Sequence, residues 1–313
     1  MPLTCIGAIL TTSRLSTEKP HDETTKGLWL ALAAYLLWGV FPIYWKQLGG
    51  VSPAVLVAHR ITWSFVSLLP LALLIGRGPF IRHALKDART RRMMLLSTVL
   101  ISSNWFLFVY AVGTGRVLAA SLGYYMNPLL NVLLGRILLD ERLSRAQALA
   151  VLLALIGVVN LAVSLGELPW ISVALALSFA AYGVVRKTSP VDSLSGLVVE
   201  TGLVTPLAVL FLVFVPTTLG GLTTLPPLGI ALLVGSGLAT AIPLLLFTEA
   251  AKRLRYTTLG IVQYVAPTCQ LALAVLLYDE AFTRAHAITF AFIWSAVLLY
   301  AGDSLLRSRR GLR

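Results

Sequence analysis

Ten apolar runs limit this chain more than any other feature. Each is about as long as the 20 residues a helix needs to cross the ~30 Å hydrocarbon layer of a membrane. They cover roughly 28–46, 53–76, 93–112, 117–139, 146–165, 169–186, 193–215, 227–248, 256–278 and 285–306. Hydrocarbon offers no partner to a backbone N–H or C=O, so a segment inside it must be helical or belong to a closed barrel. The runs are too long for barrel strands, which take about 9–11 residues. The expected fold class is therefore an all-α membrane protein with ten transmembrane helices. Composition agrees. Of 313 residues, 58% are hydrophobic and 12% are charged, about half the charged share of a soluble domain. Connections such as 113–116 and 166–168 are short enough to force antiparallel neighbours.

The basic residues give each connection a side. Lys and Arg collect in loops kept in the cytoplasm. With the N-terminus inside, 21 of the 25 Lys and Arg fall on inner segments and 3, Lys46, Arg116 and Arg284, on outer ones; Arg60 lies within a span. Both termini are then cytoplasmic, and the uncharged loop from Pro216 to Pro226 is outside. The net charge of +12 is thereby explained without nucleic acid as a partner.

The chain also repeats itself. "LLDERLSRA" (138–146) returns as "LYDEAFTRA" (277–285) in the frame D-E-x-x-[S/T]-R-A. The same offset of 139 residues pairs Phe108 with Phe247, Arg116 with Arg255, Tyr125 with Tyr264 and Pro128 with Pro267. The expected organisation is a tail (1–26), a first five-helix repeat (27–165), a second (169–306) and a basic tail (307–313). Five is odd, so the second copy is inverted in the membrane, an arrangement typical of secondary transporters. Asp140-Glu141 and Asp279-Glu280 read first as structural turn motifs that close one helix. Ser144 or Thr283 then caps the next, and Ser144-x-x-Gln147 has the form of a capping box. A direct role of the motif in gating is the other reading.

Several stretches carry a family resemblance. "AAYLLWG" (33–39), "HRITWSF" (59–65), "NWFLFVYAV" (104–112), "SLGYYMNPLLNVLLG" (121–135), "SFAAYGVVRK" (178–187) and "AFIWSAVLLY" (291–300) resemble the RarD branch of the EamA-type drug/metabolite transporter superfamily. The resemblance extends from Lys26 to Arg307. It implies a ten-helix permease of the bacterial inner membrane, with a central substrate path, export as the favoured direction and an association with chloramphenicol sensitivity. The segment 1–25 is longer than the family's usual start.

Candidate path residues are the polar groups inside spans, where charge is costly and turns to a cavity or a partner. Arg60 lies seven residues into the second span, roughly 10 Å deep at 1.5 Å per residue. Glu200 is about as deep in the seventh span, measured from the opposite face. Arg60 suits an anionic substrate group such as a carboxylate. Glu200 suits a proton, a cation or a substrate amine. An interhelical pair between them, or snorkelling to the interface, is the structural alternative. Tyr124, Asn127 and Asn131 form one face of the fourth span, with Gln263 and Gln270 in the ninth. Pro128 and Pro267 are candidate kinks, and the two kinked polar helices are expected to line a midplane cavity. Ordinary interhelical hydrogen bonding is the alternative for each residue of this stripe. Asn104 and Trp105 are weaker candidates, with Trp105 able to stack on an aromatic or cationic substrate.

Four histidines and two cysteines form no cluster with metal-ligand spacing, so no metal and no cofactor is expected. No phosphate loop, HExxH, GxSxG or CxxC is present, so ATP-driven transport within the chain is not expected. The expected function is a secondary transporter of small metabolites or drug-like molecules working by alternating access, not an enzyme. The expected partners are a small-molecule substrate and membrane lipid, and the oligomeric state, monomer or homodimer, is open. A scaffold or lipid-handling protein without solute flux, and an intramembrane enzyme, are the competing classes.

Overall fold

Apolar length makes the helices, and local polar signals trim their ends. In the computed structural model the described residues are 20–114, 116–165, 170–214, 221–278 and 282–309. They form twelve helices: α1 (Pro20–Lys46), α2 (Pro53–Leu74), α3 (Gly78–Lys86), α4 (Ala88–Gly113), α5 (Val117–Leu138), α6 (Arg145–Leu165), α7 (Trp170–Thr188), α8 (Ser193–Phe214), α9 (Pro227–Arg253), α10 (Tyr256–Val262), α11 (Val265–Leu277) and α12 (Arg284–Arg309). No strand occurs among the described residues. Ser52 accepts a hydrogen bond from the Val55 N–H and Pro53 follows it, which starts α2. Asp87 starts α4 by accepting from the Thr90 N–H at 2.8 Å. Ser144 and Gln147 exchange the two bonds of a capping box, both at 3.1 Å, ahead of α6. Thr283 and His286 make the matching exchange before α12, with the imidazole in place of the amide.

Among the described residues, nine helical stretches are long and apolar enough to cross a membrane, with α10 and α11 counted as one. α5 carries Tyr124, Asn127, Pro128, Asn131 and Arg136 among its otherwise apolar residues. The outward faces are oily: Leu74, Phe106, Phe214, Leu276 and Leu298 stand exposed. A surface of that kind suits lipid and would be a liability in water.

Three features differ from the sequence expectation. α1 begins at Pro20, so the last residues assigned to the 1–26 tail are helical, with Asp22 and Glu23 favourably placed in the first turn. The basic connection after α2, read as a loop, contains the short amphipathic helix α3. The proline pair behaves unequally. α5 runs unbroken through Pro128, whereas the ninth run is divided at Gln263 and Tyr264, ahead of Pro267. Pro267 has no N–H to give the Gln263 carbonyl, which is taken instead by the Ala266 N–H at 3.0 Å.

The helices pack in a regular set of pairs. α1 lies against α9 and α11, α5 against α7 and α10, α2 against α8 and α9, α4 against α7 and α8, and α6 against α12. At the α5–α10 crossing Gly260 has no side chain to spare: a Cβ there would sit 2.8 Å from the Pro128 carbonyl oxygen. The middle of the molecule is filled by Tyr35, Trp38, Phe179, Tyr182 and Phe247, with ring centroids 5.1–6.5 Å apart. These rings join α1, α7 and α9 into one aromatic cluster.

Candidate functional site

Arg60 projects from α2 toward α9. Its Nε donates to Thr240 Oγ1 at 2.7 Å, and its guanidinium carbon lies 4.8 Å from the ring centre of Trp45. Thr240 uses its own hydrogen on the Ser236 carbonyl, so it is fixed as an acceptor and holds the guanidinium in place. No carboxylate among the described residues lies within ion-pair distance of Arg60. The Tyr124 hydroxyl is close enough to interact electrostatically with it, yet Tyr124 keeps 43% of its surface free. Val57, Arg60, Ile61, Trp105 and Thr240 line a crevice that is too narrow here for a water molecule. Of the candidates, Arg60 and Trp105 thus share one cleft, with Tyr124 nearby. Asn104, one residue from Trp105, is spent elsewhere: its Nδ2 donates to the Leu175 carbonyl and to Ser178 Oγ, which fastens α4 to α7.

Glu200 does not meet Arg60. Its carboxylate accepts from Ser97 Oγ at 2.6 Å and from the Tyr182 hydroxyl at 3.2 Å, and it pairs with Arg186 Nε at 3.5 Å. Both members of the ion pair are buried, at 1% and 0% exposure. The Arg60–Glu200 pair given above as the structural alternative does not form, and Glu200 pairs instead with Arg186, which the sequence reading places among the cytoplasmic loop charges. The reason is local. Arg186 sits near the end of α7, and Gly196 opposite leaves it room: a Cβ there would fall 1.9 Å from Arg186 Nη1. Two backbone carbonyls, of Asp192 and Ser193, take the other terminal nitrogen. Spacing could have revealed the partner, since Tyr182 and Arg186 stand four apart on one helical face.

Around this pair, Lys187 of α7 donates to the Ala251 and Leu254 carbonyls at the end of α9. Lys252 of α9 donates in return to the Val191 carbonyl after α7. Asp192, in the connection between α7 and α8, is pushed up by partial burial. Hydrogen bonds from Ser195 and the charges of Arg77 and Lys252 outweigh that and hold its carboxyl below the ordinary value. Glu249 pairs with Arg253, which also reaches Glu23 of α1 at 3.0 Å.

The polar stripe of α5 forms bonds across the interface. Asn131 Nδ2 donates to Gln263 Oε1 at 2.7 Å, and Asn127 Nδ2 to the Ala176 carbonyl at 3.4 Å. Gln270 Nε2 donates to the Trp38 carbonyl at 3.1 Å. Asn127, Asn131 and Gln263 are buried. They join helices rather than line an open path in this conformation. The Asn127 and Asn131 amide oxygens remain without partners among the described residues.

The first copy of the repeated phrase has a clear structural use. Asp140 takes a left-handed turn, φ 51°. Glu141 then points its carboxylate at the start of α10, where it accepts from the Tyr256 and Thr257 N–H groups. A carboxylate at a helix N-terminus satisfies orphan donors and meets the positive end of the dipole. Arg255 stands 3.9 Å from the same carboxylate. Asp279 and Glu280 lie outside the described residues.

Comparisons with known proteins point one way. Residues 25–163 match the model of the EamA-like transporter family. A transporter of Vibrio cholerae serotype O1 is 44% identical over 288 residues, covering 91% of this chain and 95% of its own. Protein RarD of Escherichia coli K12 is 39% identical over 289 residues, covering 92% and 98%. The chloramphenicol-sensitive protein RarD of Pseudomonas aeruginosa is 34% identical over 295 residues, also covering 92% and 98%. A crystal structure of a protein 22% identical superposes with a TM-score of 0.69 over 88% of this chain and 97% of that one, which supports the fold. A multi-pass membrane protein, the chain belongs to the EamA-like transporter family, among its RarD-like members.

Proposed function

We propose that the chain is a secondary transporter of the bacterial cytoplasmic membrane, moving a small anionic metabolite or drug-like molecule by alternating access. The observation that carries this reading is Arg60: a guanidinium inside a span, positioned by Thr240, with no counter-charge among the described residues. An unpaired cation at such depth is costly. A carboxylate on a passing substrate relieves that cost and leaves it again on release. Export is favoured by the family alone.

The proposed architecture is ten spans in two inverted repeats, 27–165 and 169–306, with the 1–26 and 307–313 tails and both termini in the cytoplasm. α10 and α11 together make the ninth span. The pattern of helix pairs supports the twofold repeat. Advancing each span by five turns α1·α9 into α7·α4, α2·α9 into α8·α4, and α5·α7 into the pairing of α10–α11 with α1, while α2·α8, α5·α10 and α6·α12 map onto themselves. Arg60 and Glu200 occupy the eighth positions of α2 and α8, both 22 residues long. Substrate, with Trp105 and Tyr124 beside Arg60, and membrane lipid are the partners; nucleic acid, metal and cofactor play no part.

Counterflow of labelled solutes in proteoliposomes tests the function. Saturable, competable exchange is expected. Its absence across a broad panel of organic anions would favour a scaffold. A reporter at Gly220 is expected to read as periplasmic, and a cytoplasmic signal there would overturn the orientation.

A further inference from the structure

The carrier reading calls for an anionic substrate, and the charges around the site narrow that class. On that reading, we propose that the Arg60 cleft selects a lipophilic monocarboxylate without an ammonium group, and discriminates against the corresponding zwitterion.

The cleft has a place for one charge. Thr240 occupies Arg60 Nε, which leaves the terminal nitrogens, the pair that grips a carboxylate end-on. The remaining wall is apolar or aromatic: Val57, Ile61 and Trp105. An ammonium group arriving with the carboxylate needs a second acceptor of positive charge, and the helices offer none at the cleft. Glu200 is fully engaged by Ser97, Tyr182 and Arg186. Glu23 and Glu249 are tied to Arg253, and Asp303 accepts from Ser144. Among the described residues no carboxylate lines the cleft. The Trp45 face already carries the Arg60 guanidinium at 4.8 Å, and Trp105 is taken by the apolar body of the substrate. A zwitterion would therefore exchange the uncompensated charge of Arg60 for an uncompensated ammonium, and gain little from entering. A simple carboxylate neutralises the site and buries its apolar body against Trp105.

Two matched sets of probes on the purified full chain in nanodiscs test this: 3-phenylpropionate, phenylalanine and phenethylamine, and 4-methylpentanoate, leucine and isopentylamine. Binding is read by thermal shift and by calorimetric titration. The expected result is that at least one carboxylate binds at least about tenfold more tightly than its zwitterion, and that its amine does not bind. Arg60→Ala should abolish the carboxylate's binding and Arg60→Lys should retain part of it. Should Arg60→Ala fail to fold, weaker carboxylate binding in Thr240→Val, which no longer holds the guanidinium in place, serves instead. Equal or tighter binding of the zwitterions would overturn the selectivity while leaving the carrier standing. Binding by no probe, or binding that ignores both substitutions, would overturn the selectivity and remove Arg60 from the path as well.

Discussion

Arg60 and Glu200 hold equivalent places in two helices of equal length, and they could hardly be treated more differently. Glu200 is enclosed by a hydroxyl from α4, a phenol and a guanidinium from α7, with a glycine in its own helix making room. Arg60 has one threonine and one ring face. The first arrangement is complete without a ligand. The second is held in position and left short of a charge. In hydrocarbon an ionised group is retained only when something compensates it, so a complete network reads as architecture and an incomplete one as a place for cargo. On the proposed orientation the complete network lies toward the cytoplasm, where Lys187 and Lys252 also clamp α7 and α9 to one another.

That contrast can be broken most sharply at the buried pair. Glu200→Ala strands Arg186 without a counter-charge, and breaking such a pair is expected to cost about 3–5 kcal/mol, read as a lowered melting temperature in detergent. Adding Arg186→Met should restore much of the loss. A single variant as stable as wild type would show that the network is not structural. Gly196→Ala comes next, because its methyl carbon meets Arg186 head on; overpacking of this kind costs about 1–3 kcal/mol. Asn131→Ala removes the bond between α5 and α10 and leaves the Gln263 amide buried without a partner, a loss of about 1–2 kcal/mol. The smallest effect concerns Asp192. Its carboxyl lies below the ordinary value in the folded chain, so its contribution is complete above the ordinary carboxylate range. That contribution fades as pH falls through the lowered value. Asp192→Asn should flatten the acid limb of a stability–pH curve and leave neutral pH nearly unchanged; an unaltered acid limb would refute the assignment.

The spans were legible because the bilayer sets their length, and the capping boxes because their chemistry is local. Glu141 was assigned to a turn, and its carboxylate does stand at a helix junction, though the helix it caps is one 115 residues onward. The partners of the charged residues were harder to read. Arg186 looks like one more inner-loop cation, and only the close approach of Gly196 turns it into the counter-ion of Glu200. The asparagine stripe was visible as a polar face. Whether such a face lines a cavity or bonds a neighbouring helix depends on the facing residue, and Gln263 is set opposite Asn131 by the break before Pro267. The aromatic cluster had no local signal, because Tyr35, Trp38, Phe179, Tyr182 and Phe247 come from three separate helices and meet only once these pack.

The most direct trial is counterflow and melting temperature measured together on Arg60→Ala, using whichever labelled solute the wild-type chain exchanges saturably. The expected result is a melting temperature within a few degrees of wild type, since the residue has few partners to lose, with counterflow reduced to the level of empty liposomes. Wild-type exchange rates in a stably inserted Arg60→Ala protein would contradict the claim that this uncompensated guanidinium receives the cargo.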